Sequence, residues 1–293
     1  MNTKALKADS LLLITAMIWG AAFVAQRMGM DHVGPFTFNG VRFALGALAL
    51  WPLILKKPGR LTWGGDLPVF FQKRPVLWGG ALTGAVLFFG ATFQQVGLVY
   101  TTAGKAAFIT GLYVILVPLV GLFWGYRLAW GGWVGAFLAL LGLYFLSVTE
   151  ELTLSPGDLL ELLGSFFWAG HVLILGWLSP RIDVLRLAAA QYVACAILSL
   201  ATALWLEPIT IQGLTGAAVP ILYGGIMSVG VAYTLQVVAQ REAPPAHAAI
   251  ILSLETVFAA LTGWLILDEV LSARSLLGCV LMFAGMLFAQ LKS

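Results

Sequence analysis

Residues 245–269, reading PAHAAIILSLETVFAALTGWLILDE, form an apolar run long enough to cross a bilayer, for which a helix needs about 20 residues. Near its middle stands a carboxylate, Glu255. A charge at that depth costs about 3 kcal/mol on insertion scales, so it belongs beside a wet cavity or a polar partner. The run also has a copy. Residues 103–127 read AGKAAFITGLYVILVPLVGLFWGYR, and at an offset of 142 the pairs Ala106/Ala248, Ala107/Ala249, Ile109/Ile251, Leu112/Leu254 and Gly121/Gly263 are identical. A helix present twice in one chain points to a duplicated architecture.

The rest of the chain is made of similar material. It is 60% hydrophobic and only 10% charged, whereas soluble domains carry about 25% charged residues. Ten apolar segments, near 9–29, 36–55, 75–98, 103–124, 130–148, 157–178, 186–206, 215–238, 246–267 and 273–291, are separated by short polar breaks. Each is read as a helix, because in lipid the backbone must satisfy its own hydrogen bonds. With the N-terminus inside, Lys4, Lys7, Lys56, Lys57, Arg60, Lys73, Arg74, Arg127, Arg181, Arg186, Arg241 and Lys292 fall on the inner side. Only Arg27, Arg42, Lys105 and Arg274 fall outward, while Asp31, Glu150, Glu151, Asp158, Glu207, Asp268 and Glu269 fall in outer breaks. The positive-inside rule then places both termini in the cytoplasm. Cys195 and Cys279, far apart in apolar runs, suggest neither a disulfide nor a metal site.

The duplication extends over the whole length. An offset of 149 takes Asp9 to Asp158, Leu11 to Leu160, Trp19 to Trp168 and Arg42-Phe43 to Gln191-Tyr192; beyond the Lys-rich loop an offset of 142 takes Gln94 to Gln236. Each unit holds five helices, an odd number, so the copies enter the membrane from opposite sides. The expected fold is an all-α polytopic membrane protein of ten transmembrane helices, built as two inverted five-helix repeats over residues 1–150 and 151–293. Inverted repeats around a central site are characteristic of transporters.

Within the second copy, Ser253-Leu254-Glu255-Thr256-Val257-Phe258, Gly263 and Asp268-Glu269 echo the ninth-helix pattern of the drug/metabolite transporter superfamily. Gly278 and Gly285 are similar to its glycine-rich last helix, and Val117-Pro118, Gly135 and Gly142 to the first-unit copy. The chain thus resembles two EamA domains over almost its full length, and among the branches it is most similar to bacterial exporters of aromatic and other neutral amino acids, the YddG type. Thr256 stands where the pattern has proline, and Tyr126-Arg127 where the first unit has Gly-Glu. The resemblance implies the fold strongly and the substrate weakly, since the superfamily exports amino acids, sugars, drugs and nucleotide derivatives.

The residues themselves suggest where a solute would bind. Thr15, Trp19, Ala22 and Gln26 share one helical face. Trp19 and its mate Trp168 lie at mid-depth, where tryptophan is unusual, and His171 follows one turn on. They form either an aromatic-walled cavity or a packing contact. Glu255 can meet a substrate ammonium, exchange a proton or brace helices, and His171 can accept a proton or pack. Tyr233, Gln236 and Gln240 share a face of the eighth helix, Gln94 lies on the third, and Tyr113 and Ser253 fall at mid-depth of the fourth and ninth. Lys105 and His247 are mates near opposite mouths, either drawing a carboxylate inward or snorkelling to headgroups. The candidate binding set is therefore Trp19, Gln94, Tyr113, Trp168, His171, Tyr233, Gln236, Ser253 and Glu255, with Lys105 and His247 at the cavity mouths.

No Ser/His/Asp set, paired acid cluster, metal spacing or nucleotide loop appears, so no catalytic role, cofactor, metal or nucleic-acid partner is expected. The expected function is alternating-access export of aromatic and neutral amino acids across a bacterial inner membrane, by a monomer, through a cavity walled by helices 1, 3, 4, 6, 8 and 9. Export of drugs, nucleobases or another metabolite is the second reading. A membrane-embedded enzyme or a structural protein is a third, of a different class.

Overall fold

The computed structural model describes residues 3–56, 74–147, 155–267 and 272–291. Lys57, Arg60, Lys73, Glu150, Glu151, Asp268, Glu269 and Lys292, used above for orientation or motif, lie outside the described residues. Among those described, the chain is helical throughout, with no strand. The principal helices are α1 (Thr3–Gly29), α2 (Pro35–Lys56), α3 (Pro75–Tyr100), α4 (Ala103–Phe123), α5 (Trp130–Ser147), α6 (Pro156–Leu178), α7 (Val184–Leu206), α8 (Ala218–Ala239), α9 (Pro245–Ile266) and α10 (Ala273–Leu291). Eight of them, all but α5 and α10, are long and apolar enough to cross a membrane, and α5 and α10 contain the shorter apolar stretches Trp130–Phe145 and Leu276–Phe288.

Local chemistry sets where the helices start. Pro35, Pro75, Pro156 and Pro245 open α2, α3, α6 and α9 at the first turn, where a missing N–H costs nothing. Ser155 and Asp158 form a reciprocal capping box at α6, Thr102 caps α4 by accepting from the Lys105 N–H, and Asp183 caps α7 by accepting from the Arg186 N–H.

Three helices depart from α geometry, and each departure bears on the interior. Helix α4 breaks at Leu112, between Ala103–Gly111 and Tyr113–Phe123. Helix α9 breaks at Ser253-Leu254, between Pro245–Leu252 and Glu255–Leu267. In α8, Tyr223–Tyr233 is wound as a π-helix. Leu112 and Leu254 are the identical pair of the duplication, so both fourth helices of the units break at the same place.

The contacts follow an exchange pattern. Helix α5 packs along α10, α2 along α7, α1 along α9 as α6 along α4, α3 along α6 as α8 along α1, and α3 along α7 as α8 along α2. Close approach rests on glycine. A Cβ on Gly142 of α5 would lie 2.6 Å from the Gly278 carbonyl oxygen, and one on Gly285 of α10 would lie 2.6 Å from that of Gly135. Nothing larger than hydrogen fits either position, which is how small residues let membrane helices touch backbone to backbone.

Candidate functional site

Where the broken helices meet the tryptophans, the packing opens into a cavity. It is lined from α1 by Trp19, Ala22, Phe23 and Gln26, from α3 by Gln94, and from α4 by Thr110 and Tyr113. Helix α6 adds Trp168, His171 and Val172, α8 adds Ser228, Tyr233 and Gln236, and α9 adds Leu252 and Glu255. Arg42, from α2, completes the wall. Eight of the nine binding candidates named from the sequence therefore face one space. Ser253 does not; its hydroxyl donates to the Ile250 carbonyl at 2.8 Å and closes the first half of α9. Gln240 likewise turns away, donating to the Val172 carbonyl at 2.9 Å.

Tyr233 is the hub of the aromatic wall. Its ring centroid lies 4.5 Å from that of Trp19 and 6.2 Å from that of Trp168, with His171 edge-on at 6.1 Å and Phe43 at 5.9 Å. These are the offset and edge arrangements that aromatic quadrupoles favour. Trp19 is fixed by its Nε1, which donates to the Ser228 carbonyl of the π segment at 3.3 Å. Thr15 on the same face donates to the Ala232 carbonyl at 3.2 Å. Gly90 leaves room for Trp168, since a Cβ there would sit 3.3 Å from the indole.

The breaks place polar groups beside these rings. Tyr113 and Glu255 are the first residues of the second halves of α4 and α9. Glu255 thus sits at a helix N-terminus inside the bundle, where the exposed N–H groups and the dipole favour an anion. The Tyr113 hydroxyl adjoins its carboxylate without reaching hydrogen-bond geometry. Gln94 donates to Gln26 Oε1 at 3.2 Å, and His171 Nε2 meets Gln191 Oε1 at 2.9 Å. Five lining residues carry a buried polar atom with no hydrogen-bond partner in the protein: Arg42 Nη2, Tyr113 Oη, Trp168 Nε1, His171 Nδ1 and Gln236 Oε1. Buried polar groups are nearly always partnered, so these residues have capacity left to bond a polar solute.

Arg42 is 1% exposed and stands in the cavity wall, which adds α2 to the six helices expected to line it. Lys105 and His247, expected at the cavity mouths, each meet an aspartate of the other half. Lys105 Nζ donates to Asp158 Oδ2 at 2.6 Å, and His247 Nε2 lies 2.9 Å from Asp9 Oδ1. Asp9/Asp158 and Lys105/His247 are the corresponding pairs of the duplication, so each of these contacts joins one half to the other. They lie at opposite ends of α1. Asp9 is near its start, while Gln94 and Gln95 of α3 meet Gln26 near its end, just before α3 gives way to α4 and Lys105. The helical rise from Asp9 to Gln26 is about 26 Å.

Sequence reasoning also passed over Glu161, fully buried on α6 one turn after Asp158, with Thr110 donating to its Oε2 at 3.0 Å. Its signal was a carboxylate inside an apolar helix, as for Glu255.

Helices of bilayer length closed around a small aromatic and charged cavity define a membrane transporter. The sequence agrees in detail. The chain belongs to the EamA-like transporter family, whose pattern matches residues 6–148 and again 155–290. An uncharacterized transporter of Archaeoglobus fulgidus is 31% identical over 99% of this chain and 88% of its own length. The uncharacterized inner membrane transporter YedA of Escherichia coli K12 is 28% identical over 87% and 81%, and the uncharacterized transporter YoaV of Bacillus subtilis 21% identical over 94% and 93%. A solved crystal structure superposes with a TM-score of 0.77 at 19% identity, covering 97% of this chain and 96% of that one, which is a likeness of fold.

Proposed function

We propose that the protein exports aromatic and other neutral amino acids across a bacterial inner membrane by alternating access. Its two units, residues 1–150 and 151–293, are inverted five-helix repeats giving ten transmembrane helices, with both termini in the cytoplasm. The observation that carries this reading is the cavity itself. Both units wall it, its rings suit an aromatic or apolar side chain, and it presents a guanidinium and a carboxylate that no ion pair joins, as a zwitterion requires. The exchange pattern of helix contacts supports the inverted repeat. The Asp9–His247 and Lys105–Asp158 pairs supply one fastening at each end, the arrangement that rocking about a fixed central site needs. A monomer is the proposed transporting unit. The likeness to YddG-type exporters favours amino acids within the superfamily's range.

Counterflow tests this. Proteoliposomes loaded with unlabelled phenylalanine or tryptophan should accumulate labelled amino acid from outside, and Trp168→Ala should reduce the accumulation while the protein stays folded. No accumulation by demonstrably folded protein overturns the amino-acid reading in favour of drugs, nucleobases or another metabolite.

A further inference from the structure

We infer that Arg42 is the residue of this cavity that reads an anion, so that a solute must carry a carboxylate to bind, and its amine is secondary. This rests on the cavity being the transport site proposed above.

Arg42 is held in place on every side but one. Its Nε donates to Asn39 Oδ1 at 2.9 Å, and Asn39 is itself anchored by donating from Nδ2 to the Ala91 carbonyl at 3.0 Å. The guanidinium carbon lies 5.0 Å from the Phe43 ring centroid and 5.6 Å from that of Phe38, and the Cδ side of the chain passes over Gly224, where a Cβ would come within 3.3 Å. What remains is the outer edge of the fork. Nη2 has no partner, and among the described residues no carboxylate reaches Arg42 within ion-pair distance, Glu255 in the same wall included.

A guanidinium cannot escape this position by losing its charge, whereas a buried carboxyl can take up a proton and become neutral. Packing alone would be served better by an aliphatic side chain of similar volume, because an uncompensated buried charge is costly. A fork preset by Asn39 and two aromatic faces in the cavity wall is suited to a planar oxyanion, and a carboxylate matches it in shape and charge. Arg42 therefore selects more stringently than Glu255. An aromatic acid without an amine should still bind, and an aromatic amine without an acid should not.

The test is thermal unfolding of the purified full chain in detergent against L-phenylalanine, 3-phenylpropanoate, phenylalaninamide and phenethylamine, beside the counterflow assay. Phenylalanine and 3-phenylpropanoate should stabilise the protein, and the two molecules lacking a carboxylate should bind at least tenfold more weakly, about 1.4 kcal/mol. Arg42→Gln should erase that difference and Arg42→Lys should keep part of it. Equal binding of phenethylamine and phenylalanine, unchanged carboxylate affinity in Arg42→Gln, or no stabilisation by any of the four overturns the assignment. If Arg42→Gln does not fold, the four ligands on the unaltered protein decide. Carboxylate-dependent stabilisation without phenylalanine counterflow removes the amino-acid export reading and keeps Arg42's role; counterflow that phenethylamine inhibits as well as phenylalanine does the reverse.

Discussion

Removing the positive charge at position 105 should open one end of the bundle and leave the other alone. In the Lys105–Asp158 pair the lysine side chain is 35% exposed and the aspartate side chain 1%. Exposed pairs contribute about 0–1 kcal/mol and breaking a buried pair costs about 3–5 kcal/mol. Asp158 also keeps its bonds from the Thr101 hydroxyl (2.9 Å) and the Ser155 N–H (2.7 Å) when the lysine is gone. A loss near 1–2 kcal/mol follows for Lys105→Gln, about a tenfold rise in the fraction of molecules open at the end where α4 and α6 begin. The assay is thiol labelling of Ala22→Cys, a buried cavity-lining position, with Cys195→Ala and Cys279→Ala removing the native thiols. Reagent added from that face should react about tenfold faster in Lys105→Gln, because labelling tracks the open population when opening is fast. His247→Gln, at the far end, should not accelerate it. An unchanged rate in Lys105→Gln, or equal acceleration by both variants, refutes the idea that each pair fastens its own end.

Three more outcomes are expected. Trp19→Ala loses both the contact with Tyr233 and the bond to the Ser228 carbonyl, so the concentration of phenylalanine needed for half-maximal counterflow should rise at least about fivefold, near 1 kcal/mol. Gly142→Val forces a side chain into the Gly278 carbonyl and the Met282 side chain, and should lower stability by about 1–3 kcal/mol or more, read as a drop in Tm in detergent. Thr110→Val takes from Glu161 the donor on its Oε2, which should cost about 1–3 kcal/mol by the same measurement, while Thr110→Ser restores it.

Much of the interior was legible from helical spacing and from the internal copy. Trp19 and Trp168 were found because they are mates at matching depth, and Gln94 and Gln236 for the same reason; all four line the cavity. Hydropathy placed the helices because apolar length is a property of each segment alone. Arg42 was not legible in that way. The positive-inside count places Arg42 only by membrane side, whereas its burial is decided by Asn39, the two phenylalanines and the close approach of Gly224 on a distant helix. A hint was present in Phe38, Asn39, Arg42 and Phe43, which lie within about a turn and a half of each other. The π winding of Tyr223–Tyr233 was equally hidden, since it is tied to α1 through Thr15, Trp19 and the Tyr223 hydroxyl on the Ile18 carbonyl rather than announced by a residue of its own. Gly111 stands at the first break, but the second, at Ser253-Leu254, carries neither proline nor glycine and is suggested by its shared position in the two copies.

The glycine contacts between α5 and α10 have a consequence for how such a chain is put together. Gly142 meets Gly278 and Gly285 meets Gly135, so a helix touches its own counterpart with residue i on j and j on i. That reciprocity is the rule of an isologous dimer interface, here realised inside one polypeptide. The seam would be equally complementary between two separate chains. Two half-length polypeptides synthesised together would therefore carry, in these helices and in α2 and α7, the surfaces needed to find each other and rebuild the cavity.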